Sequence, residues 1–164
     1  MSAASDILKL IKEKEIEFVD LRFTDPRGKL QHMTQDLTTI DEDFLNDGTF
    51  FDGSSIAGWK AINESDMILK PDLSRTFVDP FTSHNTLVIF CDVMDPIKKD
   101  FYERDPRSIA KKAEAYLKTT GIGDTIYFGP EPEFFIFDDF KNQISIISEN
   151  PIEFKKTIPK PNTS

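Results

Sequence analysis

A single cysteine, Cys91, excludes an intrachain disulfide from this chain of 164 residues. It follows the apolar run Leu87-Val88-Ile89-Phe90 and reads as a small buried hydrophobe. Histidine is equally scarce. His32 and His84 are far apart and show no ligand spacing, so each reads as a surface or hairpin residue. The seven glycines form no Gly-x-Gly-x-x-Gly, no Walker loop and no Gly-x-Ser-x-Gly, which removes the usual dinucleotide, P-loop and hydrolase signatures. Basic residues are outnumbered, and the net charge of −9 excludes a general nucleic-acid binder and argues against an anionic membrane surface. No apolar run has the length to span a bilayer, and the N-terminus alternates apolar with charged residues, unlike a signal peptide. The expected location is the cytoplasm. No internal repeat or low-complexity segment is present.

What the chain does have is a soluble globular composition, 38% hydrophobic and 30% charged, with fifteen phenylalanines to supply core or a surface covered by another subunit. Its length suits one domain, or one small domain and a piece of another. Ser5 is the expected cap of a short amphipathic helix carrying Ile7, Leu8, Leu10 and Ile11. The period then changes. Ile16, Phe18, Leu21 and Phe23 read as a strand, Asp25-Pro26-Arg27-Gly28 as a turn, and residues 30–37 as the returning strand of a hairpin. One or two helical turns are expected over 41–46, before Gly48. Residues 66–71 and 75–80 read as two short strands, and 86–92 as the most apolar and therefore central one. Asp105-Pro106 opens the clearest helix, with Ile109, Ala113, Tyr116 and Leu117 on one face and Gly121 at its stop. A strand is expected to begin at Thr125.

Two stretches carry chemistry. The first is Phe50-Phe51-Asp52-Gly53-Ser54-Ser55-Ile56-Ala57-Gly58-Trp59, which ends on the only tryptophan. Aromatics on both sides pin a loop that offers one carboxylate and two hydroxyls, all able to accept hydrogen bonds, so it suits a small cation or an amine. The alternative is a tight turn whose Asp and Ser satisfy their own backbone. No histidine lies near Ser54 or Ser55 in sequence, which argues against a nucleophilic serine. The second stretch is Phe128-Gly129-Pro130-Glu131-Pro132-Glu133-Phe134-Phe135-Ile136-Phe137. In a strand Glu131 and Glu133 share a face. Their mutual repulsion among aromatics calls for a hard divalent cation, Mg²⁺ or Mn²⁺, and one Glu could serve each of two ions. The alternative is a solvated strand face.

These stretches, with Ile62-Asn63-Glu64-Ser65-Asp66-Met67, Phe18-Val19-Asp20-Leu21-Arg22-Phe23-Thr24-Asp25 and Asp105-Pro106-Arg107-Ser108-Ile109-Ala110, resemble the bacterial (type I) glutamine synthetase family in the same order. The resemblance runs to about Phe140. It implies an α+β chain: a β-grasp N-terminal domain over 1–103, then the first helix and strand of a truncated catalytic domain over 104–140. Residues 141–164 diverge from the family, and their Lys, Asn, Pro and Ile without steady periodicity read as a poorly ordered tail. The resemblance also implies ATP-dependent ligation of ammonia to glutamate through γ-glutamyl phosphate, in a ring of identical subunits. By the resemblance, Asp52 and Ser55 belong to the ammonium pocket, contributed to a neighbouring subunit. Asp66 maps, less specifically, to an acidic residue beside that pocket. Glu131 and Glu133 map to ligands of two divalent ions, with ATP as substrate. The family's further metal ligands, ATP-contacting segment and glutamate-binding arginines do not follow. The chain is therefore expected to be an N-terminal piece of such an enzyme, from an interrupted or frameshifted reading frame and inactive alone. The alternative is an inactive β-grasp interaction module.

Overall fold

The change of period near Ile16 is where the first helix hands the chain to a sheet. The computed structural model describes residues 2–56 and 65–136, together with the backbone of 139–143 and 153–157. Packing divides the chain into Met1–Ile126 and Tyr127–Ser164.

In the first unit, α1 spans Ala3–Glu13 and buries Ala4, Ile7 and Ile11 along one stripe. Its cap is Ser2, not the expected Ser5. The Ser2 hydroxyl accepts from the Ser5 backbone N–H at 3.1 Å, because Ala3 and the fully buried Ala4 extend the helix by most of a turn toward the N-terminus. The hairpin is as expected, β1 (Phe18–Thr24) against β2 (Leu30–Asp36). Asp25 holds its turn by accepting from the backbone N–H groups of Arg27 and Lys29, both at 2.9 Å.

A short helix α2 (Glu42–Asp47), capped by Asp41, leads through Gly48 into β3 (Thr49–Asp52). The two strands expected over 66–71 and 75–80 are one, β4 (Asp66–Val78), interrupted by a register shift between Pro71 and Thr76. Proline cannot donate to the ladder, and Asp72 turns the chain locally by accepting from the Ser74 hydroxyl at 2.6 Å, so the irregularity falls where the sequence cannot continue pairing. β5 (Thr86–Asp95) pairs with β1 in parallel and with β4 antiparallel, and a short β6 (Asp100–Phe101) joins its end. The strand order is β2-β1-β5-β4-β3. A central parallel pair flanked by antiparallel strands, with α1 and α2 adding Ile7, Ile11 and Leu45 to its core, is the expected β-grasp arrangement.

Alternation on the central strands sorts the two faces of the sheet. Val19, Leu21 and Phe23 of β1 and Leu87, Ile89, Cys91 and Val93 of β5 enter the core. Burial pushes the Cys91 thiol far up, so it stays a neutral apolar group, as its sequence context implied. Asp20, Arg22 and Asp92, one position out of phase, lie on the other face. The last helix of the unit, α3 (Pro106–Thr120), has Asp105 as cap and Gly121 in the left-handed conformation just past its end.

The strand expected from Thr125 does not form. Residues 125–136 are exposed and without regular structure among the described residues. A strand exists only against a partner, and Pro130 and Pro132 remove two backbone donors from this one. The tail expected to be poorly ordered over 141–164 lies largely outside the described residues. The described residues from 139 on form two strands, β7 (Asp139–Gln143) and β8 (Glu153–Thr157), paired antiparallel from Asp139↔Thr157 to Gln143↔Glu153, a ladder that satisfies their peptide groups.

Candidate functional site

The alternation of Thr49-Phe50-Phe51-Asp52 decides what β3 presents. Phe51 turns inward, its ring centroid 5.3 Å from that of Phe23, while Phe50 is exposed. Asp52 ends the strand. Gly53 follows in close contact with β4: its N–H donates to the Ser65 carbonyl at 2.7 Å, and a Cβ there would lie 2.5 Å from the Met67 sulfur, so any larger residue must displace the buried Met67 side chain. Residues Gly53–Ser55 then form a single 3-10 turn.

Asp52 Oδ1 accepts from the Ser54 hydroxyl at 2.6 Å and from the Ser54 backbone N–H at 2.8 Å. These two bonds, with a further one from the Ser65 side chain, hold its carboxyl below the ordinary range against the opposing effect of burial. Asp52 is therefore an anion at neutral pH, and it is exposed. The local bonds realise the tight-turn reading, and they also leave a fixed, solvent-facing negative charge. Ser54 is the hydroxyl that holds the loop, whereas Ser55 is exposed at its end. Ala57, Gly58 and Trp59, expected to pin the loop from its far side, lie outside the described residues.

Pairing adds what spacing alone does not show. Asp52 stands directly opposite Asp66 across the β3–β4 ladder. Side chains so placed share a face with Cβ atoms about 5 Å apart, and like charges there destabilise the ladder. A small cation between the two carboxylates removes that cost.

Glu131 and Glu133 fall in the second unit, on the exposed stretch without regular structure, so the shared-face argument has no strand to rest on in this chain. As donors they still suit a hard divalent ion, since carboxylate oxygens are what Mg²⁺ and Mn²⁺ take. Two carboxylates are only part of a six-oxygen shell. Among the described residues no group of three or more His, Cys, Asp or Glu side chains comes together as a metal cluster.

The sequence reading missed a polar layer on the non-core face. Asp20 accepts from Arg22 Nε at 2.8 Å and from Thr34 at 2.9 Å, and His32 Nδ1 lies 2.9 Å from it; Arg22 also pairs with Asp79. A second network joins Arg107 Nη2 to Asp72 at 2.6 Å and Arg107 Nε to Asp92 at 3.0 Å, with Lys111 on the other oxygen of Asp92. His84, bonded to Glu17, and His32 line one cleft of about 490 Å³ with Phe18, Asp20 and Arg22. The signal was available in β1, where Asp20 and Arg22 alternate with core residues.

This layer makes stability pH-dependent. Burial raises the Asp20 carboxyl, but hydrogen bonds from Arg22, His32 and Thr34 outweigh it and hold the group below its ordinary value. The same balance, with Ser74 and Arg107 as partners, lowers Asp72. A depressed folded-state value means stability that is present above the unfolded value, near 4, and is lost as pH falls through the folded one. Urea unfolding midpoints are expected to be flat from pH 7 to about 5 and to fall steeply below about 4. Asp20→Asn should lower the midpoint at pH 7 and soften the acid fall. An unchanged acid slope in that variant would show that Asp20 does not carry it.

The fold and this loop together define a class: a β-grasp sheet that presents an acidic loop and is followed, within the same unit, by the helix α3. The chain belongs to the glutamine synthetase family. The model of the glutamine synthetase β-grasp domain matches residues 15–96, and that of the catalytic domain matches residues 103–163, running past Phe140. The glutamine synthetase of Rhizobium meliloti (strain 1021) is 62% identical over 141 residues, covering 86% of this chain and 30% of that protein. That of Vibrio cholerae is 57% identical over 139 residues, covering 85% and 30%. Among solved structures, the cryo-EM structure of Plasmodium falciparum glutamine synthetase superposes with a TM-score of 0.70 at 26% identity, over 96% of this chain and 30% of that one. The chain thus spans about a third of the length of the curated relatives it matches. Among the described residues no helix is long and apolar enough to cross a membrane.

Proposed function

We propose that this chain is the N-terminal part of a glutamine synthetase, which ligates ammonia to glutamate at the expense of ATP through γ-glutamyl phosphate. The observation that carries this reading is the match of two family models in consecutive order at about 60% identity to bacterial enzymes of that name. The opposed carboxylates Asp52 and Asp66 support the ammonium assignment: the pair places negative charge where a small cation relieves repulsion, with Ser55 beside it as an acceptor. In an assembled ring this loop faces the active site of the neighbouring subunit. Glu131 and Glu133 contribute carboxylate oxygens toward two Mg²⁺ or Mn²⁺ ions, which neutralise the phosphates of ATP and the transferred phosphoryl group.

The test is a chimera in which the 141 residues of this chain that match the Rhizobium meliloti enzyme replace the corresponding segment of that enzyme, assayed for glutamine beside the isolated chain. The chimera is expected to turn over and the isolated chain to give no glutamine above a boiled control. In the chimera, Glu131→Ala and Glu133→Ala should each raise the metal concentration needed for half-maximal activity by about tenfold or more, because an ion loses a charged ligand. An assembled but inactive chimera, or unaltered metal dependence in both variants, overturns the reading.

A further inference from the structure

Phe50 heads a row of apolar side chains that register sets across four strands: Phe50 of β3 beside Ile68 of β4, Ile68 beside Met94 of β5, and Met94 beside Phe101 of β6. Phe50, Ile68 and Met94 lie on the face away from the core, because their strand neighbours Phe51, Met67, Leu69 and Val93 fill it. Ile68 and Met94 are half-buried, whereas Phe50, at the edge of the sheet, is 65% exposed. A single exposed ring needs no explanation, but the neighbours of this one give it a use. The adjoining row on the same face is Asp52 opposite Asp66. Phe50 and Asp52 are two apart in β3, so their side chains project the same way, roughly 7 Å apart along the strand. The same step on β4 separates Ile68 from Asp66. The acid pair therefore has an aromatic and an aliphatic side chain along one border, and the Gly53–Ser55 turn follows Asp52 on the other.

We infer that Phe50 is the aromatic wall of the ammonium site, the residue that favours a cation stripped of its water over one that keeps it. The inference deepens the proposed function and rests on it. Two carboxylates alone attract any small cation. A ring at their border adds two effects. Its negative face attracts a cation that has shed water, and its bulk keeps water off the carboxylates, so their charge acts through a medium of lower dielectric. Ammonium gains from both, because its N–H groups then donate to Asp52, Asp66 and Ser55 in place of water. Sodium is the more tightly hydrated ion and brings no N–H to these acceptors. The apolar row behind Phe50 limits the positions open to its ring, which lowers the cost of ordering it around a cation.

The experiment uses the chimera described above, with Phe50→Leu and Phe50→Tyr. Leucine keeps an apolar side chain and removes the ring face; tyrosine keeps the ring. Rates are read against ammonium, against ATP, and against ammonium with added sodium at constant ionic strength, and assembly is read by size exclusion. Phe50→Leu is expected to assemble, to need about three- to tenfold more ammonium for half-maximal rate, and to keep its ATP requirement. Sodium should compete with ammonium more effectively in that variant. Phe50→Tyr should stay within about twofold of the unsubstituted chimera in every readout. An active chimera whose ammonium requirement Phe50→Leu leaves unmoved overturns this inference alone. So does an equal rise in Phe50→Tyr, or loss of assembly in Phe50→Leu, which would make the side chain a subunit contact. A chimera that assembles and makes no glutamine overturns the proposed function, and this inference with it.

Discussion

Gly48→Ala is expected to remove about 3 kcal/mol or more of stability, a large share of what a domain of this size commonly has. Gly48 closes α2, and its N–H donates to the Phe44 carbonyl at 2.9 Å. It then turns the chain into β3 with φ of +86° and ψ of −168°, a region essentially restricted to glycine. The space is closed as well. A Cβ would lie 2.2 Å from the Leu69 carbonyl oxygen, a backbone atom fixed in the β4–β5 ladder and unable to move aside as a flexible side chain could. Thr49 pairs with Leu69 in the next register position, so relief of the clash must displace the start of β3 and, four residues on, Asp52. The measurement is a urea or thermal midpoint of Gly48→Ala against Gly28→Ala. Gly28 also has a positive φ, +83°, but a Cβ there meets nothing within 4 Å. Its variant should lose only the smaller backbone cost, roughly 1 kcal/mol. Equal losses at the two sites would mean that close packing against β4 contributes nothing.

The contrast between these glycines marks where sequence reasoning reached its limit. Both were legible as stops or turns from their neighbours, Asn46-Asp47 before Gly48 and Asp25-Pro26-Arg27 before Gly28. Which of them is irreplaceable depends on a strand twenty residues away in sequence, and no local pattern encodes that. The same holds for β4. Pro71 correctly announced a break in pairing, but the break is absorbed as an irregularity because β5 continues on the far side of it. The hairpin, the central strand and the cap at Asp105 were local signals and were read directly.

The candidate site was legible to a different degree in its two halves. Asp52 and Ser55 announce themselves through a dense cluster of turn-forming and hydroxyl residues, and the motif is long enough to be specific. The pairing of Asp52 with Asp66 was not derivable from composition, since it follows from the register of β3 on β4, where the half-buried Phe51 stands opposite the buried Met67. Glu131 and Glu133 were found by their spacing, but the strand that spacing assumed does not form here. Periodicity states what a segment does when paired, and it cannot supply the partner. The polar layer of Asp20, Arg22, Asp72, Asp92 and Arg107 was overlooked for a related reason: each residue alone reads as a solvated charge, and only the sheet brings them together.

Asp52→Asn, introduced into the chimera, is expected to remove at least a hundredfold of turnover while leaving assembly and ATP binding in place. The substitution is chosen for what it preserves. The carboxamide oxygen can still accept from the Ser54 hydroxyl and backbone N–H, so the 3-10 turn keeps its cap and the loop its shape. What disappears is the negative charge. Hydrogen bonding holds the Asp52 carboxyl below its ordinary value, so the native loop carries that charge throughout the neutral range, and under the proposed function that charge is the counter-ion to ammonium. With Asp66 opposite in the ladder, the proposed function has the native pair offering two carboxylates to one small cation, and the variant one beside a neutral amide. The loss should therefore appear chiefly in the ammonium concentration needed for half-maximal rate and in the maximal rate, with the ATP requirement little changed. Asp66→Asn should produce the same pattern more weakly, since that residue lies across the ladder from the loop rather than in it. Normal ammonium dependence and normal turnover in Asp52→Asn would leave the Asp52–Ser54 bonds as the whole explanation of the residue: a turn that satisfies its own backbone.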